Sequence, residues 1–198
     1  YIRAKEVIIS SGSIERPLVF GNNDTPGVML SSAAKEYLKI YGVLVGKKPL
    51  VFTNNDSGYE TAIEFKKNGV DPIVLDTRKD PNSEIIKEAK DLNINIKFSY
   101  VVVAAKGYKK VKSADIAKIS EDKKNISNIE NIQCDCICVS GFWTPTIHLA
   151  SQSGNKTKFN EEIDAFVPSK SKQKETTLGS ANGIFTLEET LKTSFEKG

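Results

Sequence analysis

Pro49-Leu50-Val51-Phe52-Thr53-Asn54-Asn55-Asp56-Ser57-Gly58 is the stretch that decides the fold. Its first half is a short apolar run without alternation, the pattern of a strand covered on both faces, and its second half is a polar turn closing on a glycine. Beyond it, Ala62, Ile63, Phe65 and Lys66 repeat at helical spacing within Tyr59 to Asn68, and Gly69 stands as the C-cap. Val70 to Leu75 reads as a second strand, with Pro72 near its start. Pro81-Asn82-Ser83, followed by Glu84, opens a second helix whose inner stripe is Ile85, Ile86, Ala89 and Leu92. Ile94 to Phe98 alternates as a third strand. The order β-α-β-α-β predicts an α/β fold with a parallel sheet covered by helices.

Working outward, Tyr100 to Ala105, Lys109 to Ser113 and Asp115 to Ile119 read as three short strands of a meander, with tight turns at Gly107 and near Ala114. Lys123 to Asn131 is polar and turn-rich, and Cys134 to Val139 returns as an apolar strand. On the N-terminal side, Lys5 to Ser10 forms one apolar strand. Ser31 to Tyr41 forms an amphipathic helix with Ala33, Ala34, Tyr37, Leu38 and Tyr41 on one side. After Pro145 the chain is polar until Ile184-Phe185-Thr186, where a helix begins at Leu187. These flanks are too sparse to bury a core of their own. The expected division is therefore 1–42 and 146–198 as two parts of one dinucleotide-binding-type domain, with 43–145 inserted between them.

Composition narrows the function classes. The 198 residues carry 28 basic and 25 acidic side chains, net +3, and the basic ones are scattered, which excludes a nucleic-acid footprint. Lys170 to Lys174 reads as a solvated loop. No run approaches the roughly 20 apolar residues of a membrane-spanning helix, and Tyr1-Ile2-Arg3-Ala4-Lys5 is no signal peptide. The missing initiator Met suggests a processed chain or an excised piece of a longer one, and excision is the favoured reading. Cys134, Cys136 and Cys138 alternate on one strand face, which suits neither a disulfide nor a tetrahedral metal site; buried free thiols and no export signal point to the cytoplasm.

The turn after Thr53 is where a dinucleotide fold places G-x-G-x-x-G. The three positions here are Thr53, Asn55 and Gly58, so only the glycine for helix–strand packing remains. Two outcomes stay open: Asn54 and Asn55 contact a dinucleotide, or the scaffold persists without its site. Asp76 ends the second strand eighteen residues after Gly58, the place for an acidic group on a ribose hydroxyl, although Asp is also a common turn residue. Ser11-Gly12 ends a strand where bare backbone lets a ligand approach. Arg16 either faces phosphate or pairs with a carboxylate. Trp143 reads as a packing anchor or a pocket wall. The lone histidine, His148, completes no catalytic set, and no catalytic residue is assigned.

Val7-Ile8-Ile9-Ser10-Ser11-Gly12-Ser13-Ile14-Glu15-Arg16-Pro17 and Phe20-Gly21-Asn22-Asn23-Asp24-Thr25-Pro26-Gly27-Val28-Met29 resemble the α subunits of heterotetrameric sarcosine oxidases. So do Val51 to Ser57 and Val139-Ser140-Gly141-Phe142-Trp143-Thr144-Pro145-Thr146-Ile147-His148-Leu149, the likeness running to Gly179-Ser180-Ala181-Asn182-Gly183. The resemblance implies a flavoprotein with a second, glutathione-reductase-like dinucleotide domain inserted into a first. It implies NAD in the first domain, FMN between the α and β subunits, FAD and amine oxidation in β, and β, γ and δ subunits as partners. A tetrahydrofolate-binding domain follows further along such α subunits, and the assembled enzymes convert sarcosine to glycine with oxygen, forming hydrogen peroxide. Carried over by position, Ser11 and Gly12 end a strand facing NAD, Gly141 is the return crossing, and Gly179, Ser180, Ile184 and Thr186 form the last loop and helix start beside it. The first motif reads Ser-Ser-Gly where the family usually has Ala-Thr-Gly. Two rival expectations stand beside this one: an NAD(P)H-dependent reductase binding at Asn55 and Asp76, and a scaffold without catalysis.

Overall fold

A computed structural model describes residues 3–197. In chain order the elements are β1 (Val7–Ile9), β2 (Ser13–Glu15), β3 (Val28–Leu30), α1 (Ser31–Tyr41), β4 (Pro49–Thr53), α2 (Ser57–Lys67), β5 (Ile73–Asp76), α3 (Glu84–Asp91), β6 (Asn95–Phe98) and β7 (Tyr100–Lys106). There follow β8 (Ser113–Lys118), β9 (Glu130–Gln133), β10 (Cys136–Ser140), β11 (Trp143–Pro145), α4 (His148–Gln152), β12 (Thr157–Asn160), β13 (Ala165–Pro168), β14 (Glu175–Thr177), a 3-10 turn (Gly179–Asn182) and α5 (Leu187–Lys197). The chain divides into two compact units, one of residues 15–142 and one of residues 1–14 with 143–198.

The central unit is built on a five-stranded sheet in the order β3-β10-β4-β5-β6, all pairs parallel. Every residue of β4 and of β10 is buried, because both sheet faces are covered. Alternate residues serve opposite layers. Val51, Val74, Cys136 and Cys138 pack with Ala34 and Leu38 of α1, Tyr59, Ala62 and Phe65 of α2, and Ile86 and Ala89 of α3. Leu50, Phe52, Leu75, Ile137 and Val139 face the other way, onto Val102, Ala105, Ala114 and Ile116 of the antiparallel sheet β7-β8-β9. The predicted α/β architecture is therefore present, a parallel sheet between a helical layer and a meander.

Four expectations are corrected by the central unit. The segment Val28–Tyr41, assigned to the flanks, supplies β3 and α1 to the central sheet, since β3 hydrogen-bonds along β10 with Val28 opposite Ile137. Lys109 to Lys112 form no strand, and Ser113 already opens β8. Gly107 has φ +150 and a Cβ there would lie 1.9 Å from the Lys110 carbonyl oxygen, so the chain folds back in a loop between β7 and β8. The third strand of the meander is instead Glu130–Gln133, inside and just beyond the segment read as turn, and it pairs antiparallel with β8. On α1 the buried residues are Ser31, Ala34 and Leu38, while Tyr37 and Tyr41 are exposed.

The outer unit pairs β1 with β14 in parallel, Ile9 opposite Thr177. The stretch after Pro145, read only as polar, holds the antiparallel hairpin β12-β13, on which Phe159 and Phe166 face each other with ring centroids 5.3 Å apart. The lysine-rich Lys170 to Lys174 segment is the mostly exposed connection from β13 to β14, as expected. Among the described residues, no helix is long and apolar enough to cross a membrane.

Candidate functional site

In the central unit the strand order reverses between β10 and β4. Strands β4, β5 and β6 run outward on one side, and β3 lies beyond β10 on the other. The crevice beyond the carboxyl ends of such a pair is where open α/β sheets receive ligands. Thr53, Asn54 and Asn55 leave β4 there, facing Ser140 at the end of β10. Gly58 sits against the strand: an added Cβ would lie 2.6 Å from both Cβ and Oγ1 of Thr53, which is the close packing the third glycine of the motif exists to permit.

The Asn55 side chain spans the crevice. Its Nδ2 donates to the Ser140 carbonyl oxygen at 3.1 Å and contacts Ser140 Oγ at 3.2 Å and Asn54 Oδ1 at 3.0 Å. Its Oδ1 accepts the Ser57 backbone N–H at 2.9 Å, so one of the free donors of the α2 N-terminus is already satisfied. Thr53 Oγ1 donates to the Asn55 carbonyl at 2.8 Å and fixes the turn.

Asp76 is fully buried at the end of β5. Its carboxylate accepts Tyr59 Oη–H at 2.8 Å, the Arg78 backbone N–H at 2.9 Å, Arg78 Nε at 3.1 Å and Arg78 Nη2 at 2.8 Å. Arg78 Nη1 reaches on to Asp56 Oδ1 at 2.8 Å. Burial, and then the Asp76 charge, push the Tyr59 phenol well above its ordinary range. Burial by itself would lower the Arg78 guanidinium, but hydrogen bonds to Asp76 and then Asp56 raise it, so this cation stays charged. A cleft of about 530 Å³ lies nearby, lined by Lys79, Phe98, Ser99 and Ile119, and none of Asn54, Asn55 or Asp76 lines it.

Arg16 and Gly141 are brought together. Arg16 Nε donates to the Gly141 carbonyl at 3.1 Å, and the Gly141 N–H donates to the Arg16 carbonyl at 2.6 Å. A Cβ on Gly141 would stand 2.7 Å from that carbonyl oxygen, so the passage of the two segments itself requires glycine. The cysteines are free and buried, but only Cys136 and Cys138 lie on β10, facing the helices. Cys134 precedes the strand and packs toward the meander, which corrects the expectation of one shared face. Burial pushes the Cys134 thiol up to about 12, and Cys138 is raised by its hydrogen bond with Cys136 and by burial. Among the described residues no cluster of His, Cys, Asp and Glu is arranged to hold a metal ion. His148 is exposed at the start of α4.

The outer unit assembles the remaining residues. Because β1 and β14 are parallel neighbours, Ser11-Gly12 and Gly179 both follow carboxyl strand ends, and the Leu178 N–H donates to the Ile9 carbonyl at 2.9 Å. Gly12 has φ +76, and an added Cβ would meet nothing within 4 Å. Gly179 has φ +64, and its carbonyl accepts the Ile184 N–H at 3.2 Å, closing the loop that leads into α5. Ser11 Oγ donates to the Thr146 carbonyl at 2.8 Å. Thr186 caps α5: its hydroxyl donates to the Glu189 carboxylate at 2.8 Å and accepts the Glu189 N–H at 3.4 Å. Sequence reasoning passed over Thr177, the last residue of β14, whose buried hydroxyl has no hydrogen-bond partner.

This fold is shared with thioredoxin and ferredoxin reductases of known structure. The chain is similar to thioredoxin reductase from T. acidophilum (TM-score 0.71, 17% identity, 94% of this chain and 61% of that one). It is similar also to a ferredoxin reductase from Rhodopseudomonas palustris (TM-score 0.64, 14% identity, 96% and 47%) and to L-proline dehydrogenase from P. horikoshii (TM-score 0.58, 22% identity, 90% and 30%). No protein-family profile matches. In sequence the chain is a relative of sarcosine oxidase α subunits. It is 32% identical over 200 residues to that of Corynebacterium sp. strain P-1, covering 100% of this chain, and 34% identical over 167 residues to that of Rhizobium meliloti strain 1021, covering 84%. It spans 20% and 16% of the length of those two relatives.

Proposed function

We propose that this chain is a cofactor-supporting segment of the α subunit of a sarcosine oxidase-type enzyme. The assembled enzyme would oxidise sarcosine to glycine with oxygen, pass the one-carbon unit to tetrahydrofolate and release hydrogen peroxide in the cytoplasm. Amine oxidation would take place outside this chain. Its partners would be the β, γ and δ subunits, with FMN at the subunit interface.

Within the chain, the outer unit would hold NAD at Ser11, Gly12, Gly179, Ser180, Ile184 and Thr186. The observation that carries this reading is the pair of adjacent parallel strand ends, each followed by a glycine with left-handed φ, one of them with open space where a side chain would stand. The orphaned Thr177 hydroxyl at the same strand end is a further donor and acceptor in want of a partner. When bound, NAD would supply hydride chemistry; the chain's part is to offer bare backbone and a capped helix start.

Gly12→Ala is the informative variant. Its added Cβ touches no protein atom, so the fold is disturbed only by the cost of left-handed φ, about 1 kcal/mol. Calorimetric titration with NAD should show binding by the chain and at least about tenfold weakening in the variant, a loss of about 1.4 kcal/mol. Equal affinity in a folded Gly12→Ala chain would reject the assignment.

A further inference from the structure

We propose that the nucleotide crevice of the central unit is closed from within, its own side chains taking the bonds that a dinucleotide would make. Three observations meet at one place in the fold. At the switch point, the Asn55 amide bridges β4 and β10 through Ser140, where a pyrophosphate needs bare backbone. At the N-terminus of α2, the Ser57 N–H that would face a phosphate is held by Asn55 Oδ1. At the end of β5, the carboxylate positioned for a ribose hydroxyl is engaged by Tyr59 and by two guanidinium nitrogens of Arg78.

Arg78 is the key substitution in chemical terms. It stands two residues past the acidic group, near where a cationic side chain in this fold can receive a ribose phosphate. Here its third guanidinium nitrogen bonds to Asp56, at the helix start, so one side chain ties the β5 end to the α2 turn. Asp56, Asp76 and Arg78 form a closed charge set of two carboxylates and one cation, with Tyr59 donating from behind. A ribose would have to displace a charge-assisted, two-point contact from a buried carboxylate, an exchange that one neutral hydroxyl does not match. Asn55, Arg78 and Ser140 thus replace ligand contacts by internal ones, and the unit serves as scaffold. This inference stands independently of NAD binding in the outer unit.

The test is a titration of the isotopically labelled chain with NADH and NADPH, read residue by residue from backbone amide shifts. In the wild-type chain the amides of Asn54 to Gly58 and Asp76 to Arg78 should stay still at millimolar ligand. Saturable shifts there would overturn the proposal. Shifts confined to Ser11, Gly12 and Gly179 to Thr186 would support both this inference and the proposed function; silence throughout would support closure while removing that function. In Asn55→Gly/Arg78→Ala, saturable shifts should appear at the central turn. A folded double variant that remains silent there would show that these side chains are not what closes the crevice. The single variants answer the same question if the double one fails to fold.

Discussion

Replacing Arg78 by alanine removes four guanidinium bonds, at 3.1, 3.2 and 2.8 Å to Asp76 and 2.8 Å to Asp56, and leaves a fully buried carboxylate. Breaking a buried ion pair from one side costs about 3–5 kcal/mol because the remaining charge is stranded. Two features reduce that figure. Asp76 keeps the Tyr59 hydroxyl and the residue-78 backbone N–H, and the Arg78 side chain is 31% exposed, so water enters where it stood. A loss of about 2–3 kcal/mol is expected, or roughly 5–10 °C in Tm at about 2–4 °C per kcal/mol for a chain of this size. Thermal and urea unfolding followed by far-ultraviolet circular dichroism measures it. Asp76→Asn removes the stranded charge, so Asp76→Asn/Arg78→Ala should be more stable than the sum of the single losses by about 1 kcal/mol or more. A cost below about 0.5 kcal/mol for Arg78→Ala, or strict additivity in the cycle, would refute the reasoning.

Gly58→Ala should destabilise by about 1–3 kcal/mol, since its Cβ would meet Thr53 Cβ and Oγ1 at 2.6 Å and Thr53 is fixed in a buried strand; the urea midpoint reads this. The three buried cysteines should resist a thiol reagent in the native chain at pH 8 and all react on unfolding. Because the Cys134 thiol is raised from 9.0 to about 12 by folding, the unfolded state ionises first; stability is intact below pH 9 and falls as pH rises toward 12, and Cys134→Ala should flatten that fall.

The central β-α-β-α-β unit was legible because its signals are local: a two-face apolar strand, helical spacing, and glycines at turns. The membership of Val28–Leu30 was not, since a three-residue strand joins whichever sheet offers it an edge, and only the tertiary pairing with Ile137–Val139 decides that. Glu130–Gln133 escaped notice for a similar reason. It pairs with β8 alone and buries only part of Ile132, so its sequence has no apolar alternation to detect. Asp76 was recognisable as a strand-end carboxylate, yet its engagement was also encoded nearby. An arginine two residues on, with Asp56 at the facing helix start, was the available sign that the charge already had partners. Ser11-Gly12 was legible as a strand-ending glycine, but Gly179 was placed by resemblance alone; more than 160 residues separate them, and the parallel pairing of β1 with β14 brings the strand ends together.

Hydrogen–deuterium exchange with and without NAD, resolved by peptide, addresses the division of labour between the two units most directly. Slowed exchange should appear in peptides covering residues 9–14 and 178–188, with no change over 53–58 and 75–79. Protection of 53–58 together with 75–79, and none at 178–188, would place the nucleotide in the central unit and contradict the account.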